Sequence, residues 1–162
     1  MALNFAGAAT FTAAGAAIAT IDTAGNLSIP NRPLLVATQF GTGTAIGADI
    51  IFDTVSINNG NNYNAANGRF TAPIAGVYHV MWRQLAIHTS ISSSYVFGLY
   101  VNNVYHIQTW TSKMAANTWN SNSYRTHVYM NAGDYCTLRY NAGDQLTYTD
   151  GNYAHYSVQL VG

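Results

Sequence analysis

The chain contains no glutamate and a single lysine, Lys113, and charged residues make up only 7% of its 162 positions. Its formal net charge is zero. That balance offers no electrostatic footprint for a nucleic acid or an anionic membrane surface. Cysteine occurs once, at Cys136, which excludes a disulfide within the chain. Long apolar runs are missing too. The opening stretch MALNFAGAATFTAAGAAIAT is rich in alanine but has neither a basic start nor an unbroken apolar core. It therefore reads as neither a signal peptide nor a membrane span. After residue 30 no stretch shows helical periodicity of any length.

What the chain has is aromatic and neutral polar. The hydrophobic fraction is 49% and the aromatic fraction 13%, with 12 Tyr and 3 Trp. Such a chain folds, whereas low charge with few apolar residues would leave it disordered. At this length a single domain buries roughly two thirds of its extended surface. Solubility rests on Asn, Ser and Thr, and a surface so poor in charge repels its own copies weakly. That composition suits a protein built into an assembly, and secreted enzymes share it. Cys136 lies in DYCTLRY, where alternation puts it on the face of Leu138. It reads as a small buried hydrophobe, not a nucleophile.

The most ordered pattern runs from Phe52 to Trp82. Large side chains fall at Phe52, Tyr63, Phe70, Tyr78, Val80 and Trp82, with Gly60, Gly68, Pro73 and Gly76 between them. Pro73 stops strand pairing because it has no N–H, and Gly76 turns the chain into a strand with Tyr78, Val80 and Trp82 on one face. The order and spacing of Phe52, Asn58, Tyr63, Phe70, Gly76 and Tyr78 resemble the signature of the globular head of complement component one-q. That family belongs to the tumour-necrosis-factor-like jelly rolls. Val80 and Trp82 replace other aromatics of the signature and stay apolar. Met130-Asn131-Ala132-Gly133-Asp134 resembles the family's turn before its late strands, and Tyr153 to Val161 stands where its closing strand lies. The resemblance covers about Leu34 to Gly162. It implies a homotrimer packed around a threefold axis, with the closing strand near that axis.

Strand candidates follow at short intervals: Leu34–Phe40, Ile50–Ile57, Arg69–Ala72, Val77–His88, Tyr95–Val101, Val104–Trp110, Tyr124–Met130, Tyr135–Tyr140 and His155–Val161. Asn102-Asn103 is the turn of a two-residue hairpin. Ala142-Gly143-Asp144 and Asp150-Gly151-Asn152 are further turns. The expected fold is all-β, an antiparallel jelly-roll sandwich over 34–162, preceded by a short extended arm over 1–33. In the arm, ATIDTAGNLSI reads as a hairpin. Its Asp-x-x-Gly-Asn-Leu pattern resembles stretches of phage fibre shafts. Pro30 and Pro33 mark the junction.

Histidines 79, 88, 106, 127 and 155 show no metal-ligand spacing, and His79 and His127 fall opposite the core pattern of their strands. They read as structural or interface residues. No cofactor is expected. Ca²⁺, which sits near the trimer top in some relatives, has no clear ligand motif here, since turn chemistry accounts for Asp144 and Asp150. No Gly-x-Ser-x-Gly, phosphate-cradling loop or carboxylate pair suggests catalysis. The candidate binding residues are loop aromatics, Trp110 and Trp119 around TSKMAANTWNSNS, and Tyr148 and Tyr153 around Asp150. His106, Lys113 and Asn120 are polar companions. Aromatic faces with amides suit a neutral sugar, and they suit a subunit interface equally.

These readings converge on a non-enzymatic homotrimer on the outside of a virion, made in the host cytoplasm. Capsid decoration protein or short fibre head is the leading expectation, with the arm meeting another virion protein and the head facing a host glycan or protein. A receptor-binding fibre tip, a secreted glycan- or protein-binding module and a polysaccharide-degrading enzyme are the alternatives.

Overall fold

The computed structural model describes residues 7–13, 16–29, 32–39, 44–88, 94–110, 118–143 and 154–161. The chain divides into two units, residues 1–32 and 33–162. The first is a small antiparallel sheet of β1 (Ala9–Ala13), β2 (Ala16–Ile21) and β3 (Leu27–Ser28) in the order β1-β2-β3. The β2–β3 turn is built by Asp22. Its carboxylate accepts the backbone N–H groups of Ala24 and Asn26 at 2.9 and 2.8 Å and the Asn26 side-chain amide at 2.8 Å. Gly25 takes the left-handed conformation this turn requires, with φ +85°. The arm is thus folded back on itself through hairpins rather than drawn out as one extended strand. Small residues give the sheet almost nothing to bury: among its described side chains only Ala9 is buried, while Phe11, Leu27 and Ile29 stay exposed.

The second unit is a sandwich of two antiparallel five-stranded sheets. One has the order β10-β9-β12-β7-β6, formed by Val104–Trp110, Val96–Val101, Tyr135–Ala142, Arg69–Thr71 and Tyr63–Asn64. The other has the order β11-β8-β13-β4-β5, formed by Thr118–Met130, Gly76–His88, His155–Leu160, Leu34–Thr38 and Thr54–Asn58. Alternation sends Tyr78, Val80 and Trp82 of β8, Tyr156 and Val158 of β13 and Leu35 and Ala37 of β4 inward. They meet Phe70, Phe97, Leu99, Cys136, Leu138 and Tyr140 of the facing sheet. Rings interlock across the layer: Phe52 stacks on Tyr156 with centroids 5.1 Å apart, and Phe70 meets Tyr78 edge-on at 5.8 Å.

The signature residues before β8 form one knot. Asn58 donates from Nδ2 to the Tyr63 carbonyl and accepts the Tyr63 N–H, each at 3.0 Å. The Tyr63 hydroxyl donates to the Phe52 carbonyl and accepts the Phe52 N–H, both at 3.1 Å. An Asn, an aromatic and a Phe at these spacings therefore close a loop whose buried backbone has no strand partner at Phe52. Gly68, at φ +70°, passes so near the Ile50 carbonyl oxygen that a Cβ would lie 2.7 Å from it. Arg139 of β12 donates from Nε to Asp49 Oδ1 at 2.7 Å and lies over the Tyr100 ring. That latch holds the segment before Ile50 against the sheet.

Two strand expectations shift by more than two residues. Ile50–Ile57 gives way to Thr54–Asn58, because Ile50 and Phe52 bury their side chains in an unpaired crossing segment held by backbone bonds such as Ile50 N–H to Leu138 at 2.7 Å. The strand expected from Tyr124 begins at Thr118. Its polar first half pairs residue for residue with the end of β8, Thr118 opposite His88. The two-residue strand at Tyr63–Asn64 is additional. The Asn102-Asn103 hairpin forms with φ of 51° and 62°.

Candidate functional site

One sheet face in the second unit is built unlike an ordinary solvated surface. It is the outer face of β11-β8-β13-β4-β5, opposite the core, and strand register lays it out in rows. Tyr129 lies beside Val77, whose carbonyl accepts the Val161 N–H at 2.8 Å. The next row is His127, His79, Gln159 and Leu34. Arg125, Met81, Ser157, Val36 and Ile57 follow, then Ser123, Arg83, His155, Thr38 and Thr54. Tyr129 is 62% exposed and Met81 41%, and Val161 and Ile57 are exposed on the same face. Large apolar side chains in the rows on either side of the histidine row of an open sheet are what an interface presents before its partner arrives. A shallow depression of about 390 Å³ lined by Met81, Ser123, Tyr124 and Arg125 runs along the β11 edge.

The two histidine rings, directly opposite each other on β8 and β11, have centroids 5.0 Å apart and planes tilted by 40°. Sequence placed both on this face. It gave no sign of the pairing, since forty-odd residues separate them and only the β8–β11 register brings them together.

The candidate binding aromatics do not converge among the described residues. Trp110 ends β10, 73% exposed, one position after the buried Thr109 and so on the outer face of its own sheet. Trp119 lies on β11, a strand and not a loop, 47% exposed on the outer face of the other sheet. The sandwich thus stands between them. His106 is exposed on β10 and Asn120 is half-buried on β11. Tyr148, Asp150, Tyr153 and Lys113 lie outside the described residues.

Three buried thiol and hydroxyl groups are held far from ionisation. Cys136 is fully buried with its sulfur 3.2 Å from the Tyr156 hydroxyl, and burial pushes the thiol up to about 12. A thiol so far from ionising is not a nucleophile. Burial also pushes Tyr63 up to about 12 and Tyr156 well above its ordinary value. Among the described residues no three His, Cys, Asp or Glu side chains gather within reach of one ion.

The model of the C1q domain matches residues 36–161. The chain belongs to the C1q domain family. Solved structures agree with that assignment at the level of fold. The globular domain of zebrafish complement 1qA protein superposes with a TM-score of 0.62 at 14% identity, covering 78% of this chain and 93% of that one. The TNF named Eiger from S. frugiperda gives 0.64 at 13% identity, covering 82% and 94%. Murine APRIL gives 0.60 at 10% identity, covering 79% and 98%. No curated protein sequence matches the chain. C1q and TNF-like domains are typically non-enzymatic binding modules. The family's signature positions Phe52, Tyr63, Phe70, Tyr78, Val80 and Trp82 are all buried in this C1q domain, with Gly76 buried and Asn58 half-buried beside them.

Proposed function

We propose that this C1q-domain chain is a non-enzymatic, self-associating structural protein, and that the outer face of β11-β8-β13-β4-β5 is where three copies meet. The observation that carries this reading is the run of exposed apolar side chains on that face, Tyr129, Met81, Ile57 and Val161, unmatched by any acid among the described residues of its rows. C1q and TNF-like relatives form homotrimers, which supports three as the copy number. Burying a Met or Tyr against a second copy contributes roughly 1.5–3 kcal/mol for each side chain removed from water. Met81→Asp and Tyr129→Asp test this, since each places a charge on the face without touching the core. The trimer should fall apart to folded single chains in light scattering, with circular dichroism unchanged. Trimers that survive both substitutions contradict the reading.

The finer part of the proposal is location. The three-stranded sheet of β1 to β3 leaves Phe11, Leu27 and Ile29 exposed with little core of its own, so it needs a second surface to bury them. This supports attachment of the arm to another protein, with a virion surface as the proposed setting and a short fibre head or capsid decoration as the role. Deleting residues 1–30 should abolish attachment to the particle while leaving the head folded. Retained attachment contradicts the anchoring role, and shortening of host glycans by the intact protein contradicts the non-enzymatic one.

A further inference from the structure

The row containing His127, His79 and Gln159 carries a second possibility for the same sheet face. A metal held by two imidazole nitrogens at about 2.0–2.1 Å, near the tetrahedral angle, places the two ring centroids about 5 Å apart. The His79 and His127 centroids are 5.0 Å apart, already at that spacing, and the 40° tilt is unlike face-to-face stacking. Both rings stand on the outer face at directly opposed positions of two long paired strands, so the backbone holds their Cα atoms opposite each other. Neither imidazole is sealed in the core: in the single chain His79 is half-buried and His127 exposed, so the metal's remaining coordination positions face outward.

We propose that His79 and His127 chelate a divalent transition-metal ion of the zinc type. The donor set selects that class. Imidazole nitrogen suits zinc, nickel and copper, whereas calcium and magnesium take oxygen ligands. No carboxylate stands in the rows on either side, which hold Tyr129 and Val77 or Arg125 and Met81. Gln159, next to His79 on β13, is the adjacent oxygen-bearing side chain. Arg125, one row away, opposes any cation and makes the chelate effect of the pair essential. The two-nitrogen grip is complete within one chain and does not depend on the trimer.

Isothermal titration of the full chain with zinc chloride, with calcium chloride in parallel, tests the site. Zinc should bind, calcium should not, and His79→Asn or His127→Asn should each weaken zinc at least about tenfold by removing one arm of the chelate. His106→Asn, on the other sheet, should leave zinc affinity unchanged. Cu²⁺ bound to the wild-type protein gives an independent readout that requires no variant, because its paramagnetic resonance should show hyperfine coupling from two imidazole nitrogens. Zinc affinity unchanged in both variants, or coupling from a single imidazole, would overturn the site. Sedimentation without metal separates this outcome from the assembly: a trimer that forms without zinc leaves the interface reading intact whichever way the titration falls.

Discussion

At the scale of single residues, the domain is decided by a few large rings and one close backbone approach. Trp82 is 1% exposed in the middle of β8, its ring 5.1 Å from that of Tyr124 on β11. Trp82→Ala should cost about 3–5 kcal/mol in denaturant melts, the usual range for emptying an aromatic core site. A loss below about 1 kcal/mol would put the ring outside the core. Asn58 acts through hydrogen bonds and not bulk. Asn58→Ala leaves the Tyr63 N–H and carbonyl without partners in a half-buried loop, so chemical denaturation should register a loss of about 1–3 kcal/mol. Unchanged stability would mean that water replaces the side chain at no cost. The rings and glycines of 52–82 were legible because their spacing reports core facing directly. The reason for Asn58 was not legible, since both of its partners are backbone groups of Tyr63.

At the scale of elements, strand register explains both the successes and the misses. β10 was readable to the residue, and the Asn102-Asn103 turn with it, because two consecutive Asn are well suited to positive φ. The first half of β11, TWNSNS, reads as a loop in sequence. It is a strand because the end of β8 offers it a continuous ladder, a tertiary effect that local composition does not encode. The same ladder moves Trp119 from a presumed binding loop onto a sheet face. The His79–His127 pair was hidden for a related reason, each ring being ordinary alone. The hairpin turn also predicts a pH response. Asp134 accepts from the Asn102 side-chain amide at 2.7 Å and from the Asn131 N–H at 2.7 Å, and these bonds hold its pKa below the ordinary 3.8. A depressed carboxylate stabilises the fold above the unfolded value, and that contribution is lost as pH falls through the lowered folded value. Protection of the Asn131 and Tyr135 amides against exchange, relative to their intrinsic rates, should therefore fall only below about pH 4, near the ordinary aspartate range. Loss of protection already at pH 6 would assign the loosening to another group.

At the scale of the whole molecule, nearly uncharged composition and an open apolar sheet face describe one property. A chain with 7% charged residues, whose Tyr129 is 62% exposed and whose Met81, two rows along the same sheet face, is 41% exposed, presents the apolar surface that the proposed self-association would cover. The binding role suggested for the aromatics takes a different form once the strands are placed, since Trp110 and Trp119 serve opposite faces. Trp119 shares its face with the proposed interface, and Trp110, on the opposite sheet, lies outside it. Self-association is thus the claim on which the others rest, and sedimentation equilibrium of the full chain tests it most directly. The account predicts a species of three times 17.5 kDa that persists on dilution. A stable single chain of 17.5 kDa at the same concentrations would contradict it.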